Sequence, residues 1–187
     1  MARTIWKIDP AHTSLELSVK HMVFTTVRGR FNRLEGTIEV DEDDPDRSRV
    51  VVEIDASSLD TGVVERDRHL RSPDFLDVER FPKITFRSRR VEGAHMKPGD
   101  RFKVVGDLTI RDQTHEVELE ATFNGVGPDP WGAERAGFHA ETEIDRRAWG
   151  LTWNQALETG GILVGNTVHM DAEVEAVKQA GVTQAAA

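Results

Sequence analysis

Apolar and polar residues alternate along almost the whole of this chain, and that period of two constrains the fold more than any motif does. Leu15, Leu17 and Val19 alternate with Glu16, Ser18 and Lys20, and Leu34, Ile38 and Val40 share a face with Gly36. Val50, Val52 and Ile54 continue the series, followed by Ile84 and Phe86, then Phe102, Val104, Leu108 and Ile110. Val117, Leu119, Ala121 and Phe123 oppose Glu116, Glu118, Glu120 and Thr122. Phe138, Ala140 and Ile144, then Val168, Met170, Ala172 and Val174, close the series. Each run is a strand with one dry and one wet face. About eight such antiparallel strands must curl or stack to bury a common apolar face, and the pattern alone allows a barrel or a sandwich. Gly36, Gly106 and Ala140 fall on the apolar faces, where small residues leave room inside.

The alternation breaks in two places. Turn-formers at Asp60, Thr61 and Gly62 precede a stretch in which Val63, Val64, Asp67 and Leu70 follow helical spacing. This predicts a short charged helix over Val63–Leu70. Ser72-Pro73 ends it, because the proline ring disfavours a helical conformation in the residue before it. A second irregular stretch, Arg146 to Gly161, carries Trp149, Trp153 and Leu157. Residues 1–178 are expected to form one domain, and residues 179–187, which lack periodicity, a frayed tail.

At 187 residues the chain is long enough for a well-buried core or an enclosed cavity. No apolar run approaches the ~18 residues of a membrane span. The net charge of −9 argues against nucleic acid and against anionic membrane surfaces as standing partners. The absence of cysteine removes disulfides, thiolate catalysis and thiolate metal sites. Met1-Ala2-Arg3-Thr4-Ile5-Trp6 runs into strand-like sequence with no signal peptide, so a cytoplasmic location is expected.

Little in the sequence favours catalysis. Gly160 to Thr167 has the glycine spacing of a phosphate loop, but Asn166 replaces the lysine and a strand follows where a helix is needed. The seven histidines include no His-x-His pair and no His-Glu-x-x-His helix, and Glu65 and His69 read as a surface contact one helical turn apart. Arg66, Asp67 and His69 could form an acid–base set, yet no nucleophile is tied to them by spacing. The favoured reading makes Asp67 an acceptor from backbone amides or an arginine, pinning the helix across a barrel end. Phe75, Phe81, Trp149 and Trp153 suit either a completed core or the mouth of an apolar cavity. No catalytic residue and no metal ligand is assigned.

Several short elements occur together in a fixed order. They are Trp6-Lys7-Ile8-Asp9-Pro10-Ala11-His12-Thr13-Ser14, Lys20-His21-Met22, Val27 to Phe31, Ser58-Leu59-Asp60-Thr61-Gly62, and Arg66-Asp67-x-His69-Leu70-x-Ser72-x-Asp74-Phe75. Gly106 to Ile110 and Arg147-Ala148-Trp149-Gly150 follow. This set resembles the YceI-like family over Trp6 to about Gly150. Two positions depart from the family pattern: Asp112 stands where glycine is common, and Ala148 where aspartate is common.

The resemblance implies an all-β protein, an elongated antiparallel lipocalin-like barrel with the helix and the Arg146–Leu157 segment near its ends. It also implies binding, storage or transport of a long-chain amphiphile, a polyisoprenoid or an isoprenoid quinone, in an apolar tunnel. No cofactor is expected beyond that lipid, and homodimers occur among such proteins. Under this reading the ligand would touch Leu17, Val19, Phe24, Leu34, Ile38, Leu70, Phe75, Phe86, Val104, Leu108, Phe138, Trp149 and Trp153. The alternatives are a fatty-acid-type ligand, an enzyme acting on a small amphiphile through Arg66, Asp67 and His69, and a filled barrel that binds a protein partner.

Overall fold

Eight strands close on themselves. In the computed structural model, which describes residues 2–181, β1 (Arg3–Ile8), β4 (Leu34–Asp41), β5 (Arg49–Asp55), β7 (Lys83–Glu92), β8 (Arg101–Ile110), β9 (Gln113–Pro128), β10 (Glu134–Asp145) and β11 (Val164–Lys178) pair in that order. β11 returns to β1. All the pairings are antiparallel, so the expected barrel forms. Closure leaves the ring without an unpaired edge.

The ring is not built from the eight runs that the alternation marks most clearly. Only the last residues of β11 pair with β1, Ala176 opposite Ile8 and Lys178 opposite Trp6. The rest of β11 pairs with β2 (Ser14–His21), which carries β3 (Thr25–Phe31) and the two-residue β6 (Leu59–Asp60) as a side branch. β1 and β2 thus share one neighbour and are separated by a single turn at Pro10–His12. Pro10 starts that turn with its fixed φ, and the Asp9 carboxylate accepts from the amide of Ala11. Across the break, Asp9 donates its amide to the carbonyl of Glu175, and Glu175 donates its own to the hydroxyl of Thr13. The ladder is spliced rather than interrupted.

Helix α1 (Val64–Arg71) matches the expected span to one residue and stops at Ser72, whose amide closes on His69. The Arg146 segment begins as a 3-10 turn over Arg146–Trp149 and ends in left-handed Gly150 at φ 77°. In the β8–β9 turn the left-handed residue is Arg111, at φ 56°, rather than Asp112. Two ends can therefore be named. The helix end carries α1 and the Arg146–Leu163 segment, and the loop end carries the connections β4–β5, β7–β8 and β9–β10. The expected tail falls largely at residues 182–187, outside the described residues; Gln179 still donates its amide to Ile5.

Candidate functional site: an apolar cavity inside the barrel

The inward faces of the ring do not meet. Between them lies a cavity of about 190 Å³. Its walls carry Ile8 and Ile38 from β1 and β4, Val50 and Val52 from β5, Phe86, Val104 and Leu108 from β7 and β8, and Leu119, Phe138, Ala140, Met170 and Val174 from β9 to β11. These are the dry faces that the alternation predicts. Many of them, among them Val50, Val52, Phe138, Ala140, Met170 and Val174, are only half-buried, because they look into empty space rather than into side chains. A barrel of about eight strands can be filled by side chains or hold one small ligand, and here the middle is unfilled.

The cavity reaches the loop end, where Pro45, Ser48, Ala94 and Met96 contribute to its wall. Two of those loops are tied together, since the amide of Ala94 donates to the Asp46 carboxylate at 3.0 Å. Asp41, 2% exposed, holds the first of them by accepting from the amides of Asp43 and Asp44. Those amides keep its carboxyl below the ordinary carboxylate range.

The helix end is plugged. No wall residue comes from α1 or from the Arg146–Leu163 segment. Arg146, only 3% exposed, donates to the carbonyls of Gly165, Leu151, Trp153 and Val164, stitching that segment to the start of β11. Burial without a carboxylate contact pushes its guanidinium pKa down. Trp149 is buried and donates its indole N–H to the carbonyl of Leu108 at 2.9 Å. Phe75, Trp153 and His69 pack ring against ring, with centroids 4.5–5.4 Å apart.

Of the residues expected to touch a ligand, Leu34, Ile38, Phe86, Val104, Leu108 and Phe138 line the cavity. The other placements need correction. Leu17 and Leu70 pack against the main core cluster without reaching the cavity wall, and Phe75, Trp149 and Trp153 form the plug itself. Val19, opposite Val168, lies on the side branch. Phe24 is 83% exposed: Met22 and Val23 turn left-handed at φ 51° and 68°, which ends the strand phase before the ring is reached. The sequence reading took Met1–Trp6 as running into strand-like sequence but left β1 out of the alternating set; Trp6 and Ile8, two residues apart on one face, were the available signal, and Ile8 is a wall residue.

Arg66, Asp67 and His69 do not converge. The Asp67 carboxylate accepts from the amide and hydroxyl of Thr61, and Arg66 donates to the hydroxyl and carbonyl of the same residue. His69 turns to Asp74 at 2.9 Å. None of the three reaches the cavity wall. Asp67 thus pins the helix as expected, through threonine rather than arginine. Two groups of side chains with metal-ligating chemistry occur among the described residues, Asp9–His12–Glu175 and His139–Glu141–Asp171. In the first, Arg135 already supplies the cation, at 2.8 Å from Asp9 and 2.6 Å from Glu175.

The comparisons agree with this architecture. A UPF0312 protein of Staphylococcus aureus is 37% identical over 173 residues, spanning 92% of this chain and 96% of that one. The structure of BcnA from Burkholderia cenocepacia superposes with a TM-score of 0.77 at 21% identity, over 90% of this chain and 98% of that one. A polyisoprenoid-binding domain from Saccharophagus degradans gives 0.70 at 14% identity, over 96% and 99%. The model of the YceI-like domain matches residues 6–176, so this chain belongs to the YceI-like family.

Proposed function

We propose that this protein binds a long-chain amphiphile, a polyisoprenoid or isoprenoid quinone, and stores or carries it with the hydrocarbon in the barrel and the head group toward the loop end. The observation that carries this is the unfilled, almost wholly apolar cavity between half-buried walls. Roughly ten buried methylenes contribute about 8 kcal/mol, equivalent to micromolar affinity before ordering costs, with no polar contact needed. The polyisoprenoid-binding neighbour of the same fold supports this ligand class. The protein acts by binding rather than by catalysis: Arg66, Asp67 and His69 serve α1 and its contacts, away from the cavity.

Organic extraction of the purified full chain, followed by mass spectrometry, tests the proposal. The expected result is a prenyl lipid at close to one equivalent. Turnover of an added amphiphile with nothing retained would replace the proposal with an enzymatic one. An empty extract, together with no uptake of added polyprenol, would sink it.

A further inference from the structure

β10 carries His139-Ala140-Glu141 and β11 carries His169-Met170-Asp171. Both are a histidine and a carboxylate two residues apart, so within each strand the pair shares a face. His139, Glu141 and Asp171 border the cavity together with Ala140 and Met170, but strand alternation turns the histidines and carboxylates to the face opposite Ala140 and Met170. The antiparallel register sets Glu141 directly opposite Asp171, His139 opposite Glu173, and His169 opposite Glu143. The two histidines therefore lie on the two diagonals, related by a near two-fold through the Glu141–Asp171 pair. His139 Nε2 is 2.9 Å from Asp171 Oδ2, and His169 Nε2 is 3.9 Å from Glu141 Oε2. One ligating atom each from His139, Glu141 and Asp171 lie within 4.8 Å of one another.

The carboxylate row extends further. Glu120 of β9 stands opposite Glu141, and Glu16 of β2 opposite Asp171. Like charges directly opposite on neighbouring strands destabilise a sheet unless a cation sits among them. Among the described residues, no lysine or arginine forms an ion pair with Glu141, Asp171, His139 or His169. The contrast with the Asp9–His12–Glu175 group, which closes on Arg135, is direct.

We propose that His139, Glu141, Asp171 and His169 form a binding site for a divalent transition-metal ion of the zinc type on the outer wall of the barrel. Two imidazoles with two carboxylates suit such an ion, whereas calcium and magnesium favour all-oxygen sets. Ligands about 2.1 Å from a tetrahedral ion sit about 3.4 Å apart; His139, Glu141 and Asp171 already lie within 4.8 Å of one another, and His169, 3.7 Å from Glu143 and 3.9 Å from Glu141, would complete the set by turning toward Glu141. The strands hold the two pairs in register without the ion. Ala140 and Met170, which alternate with the ligands, form part of the cavity wall, so the ion would staple two wall strands from outside. The site does not depend on which lipid occupies the cavity.

The test uses tag-free full chain, stripped with EDTA and titrated calorimetrically with zinc chloride alone. One equivalent should bind, and melting temperature should rise with zinc. His139→Ala and His169→Ala should each weaken binding at least tenfold, while His12→Ala, in the other group, should leave it unchanged. If a histidine variant folds poorly, Glu141→Gln serves with the same expectation. No saturable binding by the wild-type chain, unchanged binding in the doubly substituted His139→Ala/His169→Ala chain, or loss through His12→Ala alone would each overturn the assignment. A cross-strand ion pair without metal affinity would show as a zinc-independent melting temperature.

Discussion

Asp67 is 6% exposed, and its acceptor oxygen takes two hydrogen bonds from one residue, Thr61. Removing the carboxylate leaves the amide of Thr61 with no acceptor and the first turn of α1 tethered to Thr61 by Arg66 alone. Asp67→Ala should therefore destabilise by about 1–3 kcal/mol, read as a lower denaturant midpoint, with lipid content per folded molecule unchanged. Loss of lipid at an unchanged midpoint would instead make Asp67 a ligand contact. Gly106 shows the opposite kind of constraint. A Cβ built there would lie 2.7 Å from the Cα of Ser88 and 2.8 Å from the ring of Phe86, and closer still to the carbonyl of Arg87. The strand phase points this position inward, which suggests room for bulk, but the neighbouring β7 backbone already occupies it beside the bulge between Ser88 and Arg90. Gly106→Ala is expected to cost on the order of 1–3 kcal/mol through overpacking. A denaturation midpoint within error of wild type would show that the β7–β8 pair can relax.

Among the elements, the splice between β1 and β2 decides how the ring closes. Arg135 of β10 reaches Asp9, Asp129 and Glu175 together, tying the β9–β10 loop and β11 to the turn after β1. Hydrogen bonds first from Arg135 and then from His12 hold the Asp9 carboxyl at about 2, below its ordinary value of 3.8. A depressed carboxyl favours the folded state fully above its unfolded pKa and loses that contribution as protons bind. The stability difference between wild type and Asp9→Asn should therefore be constant above about pH 4 and close as pH falls through about 2. Urea midpoints across that window check it; a difference that persists at the lowest pH would show that the splice is held by something other than this charge.

For the whole molecule, the bore follows from which inward residues are small. Ala140 and Ala172 face each other across β10 and β11 and both line the cavity. Ala140→Phe adds bulk there without exposing apolar surface, so the longest prenyl chain retained should shorten, with a folding cost of about 1–3 kcal/mol. Ligand masses from wild type and variant expressed in the same host decide it. The same longest chain in both would place Ala140 outside the path of the ligand.

Local pattern accounts for most of the strands, their dry faces and the helix. Side-chain alternation, turn residues and the Ser72-Pro73 stop act over a few residues, so a local reading recovers them. Leu34, Ile38, Phe86, Val104, Leu108 and Phe138 were legible as inward for that reason. Ring membership depends on pairing between distant segments. Leu17 and Val19 alternate as cleanly as any wall residue, yet the five residues from Asp9 to Thr13 hand the β11 edge from β1 to β2, and of that strand's apolar face only Leu15 reaches the cavity. Phe24 shows the same limit at a hairpin tip, where two left-handed residues end the phase that precedes them. Which apolar faces enclose space and which meet a plug of Phe75, Trp149 and Trp153 depends on contacts between residues far apart in the chain, and a period of two carries no information about those.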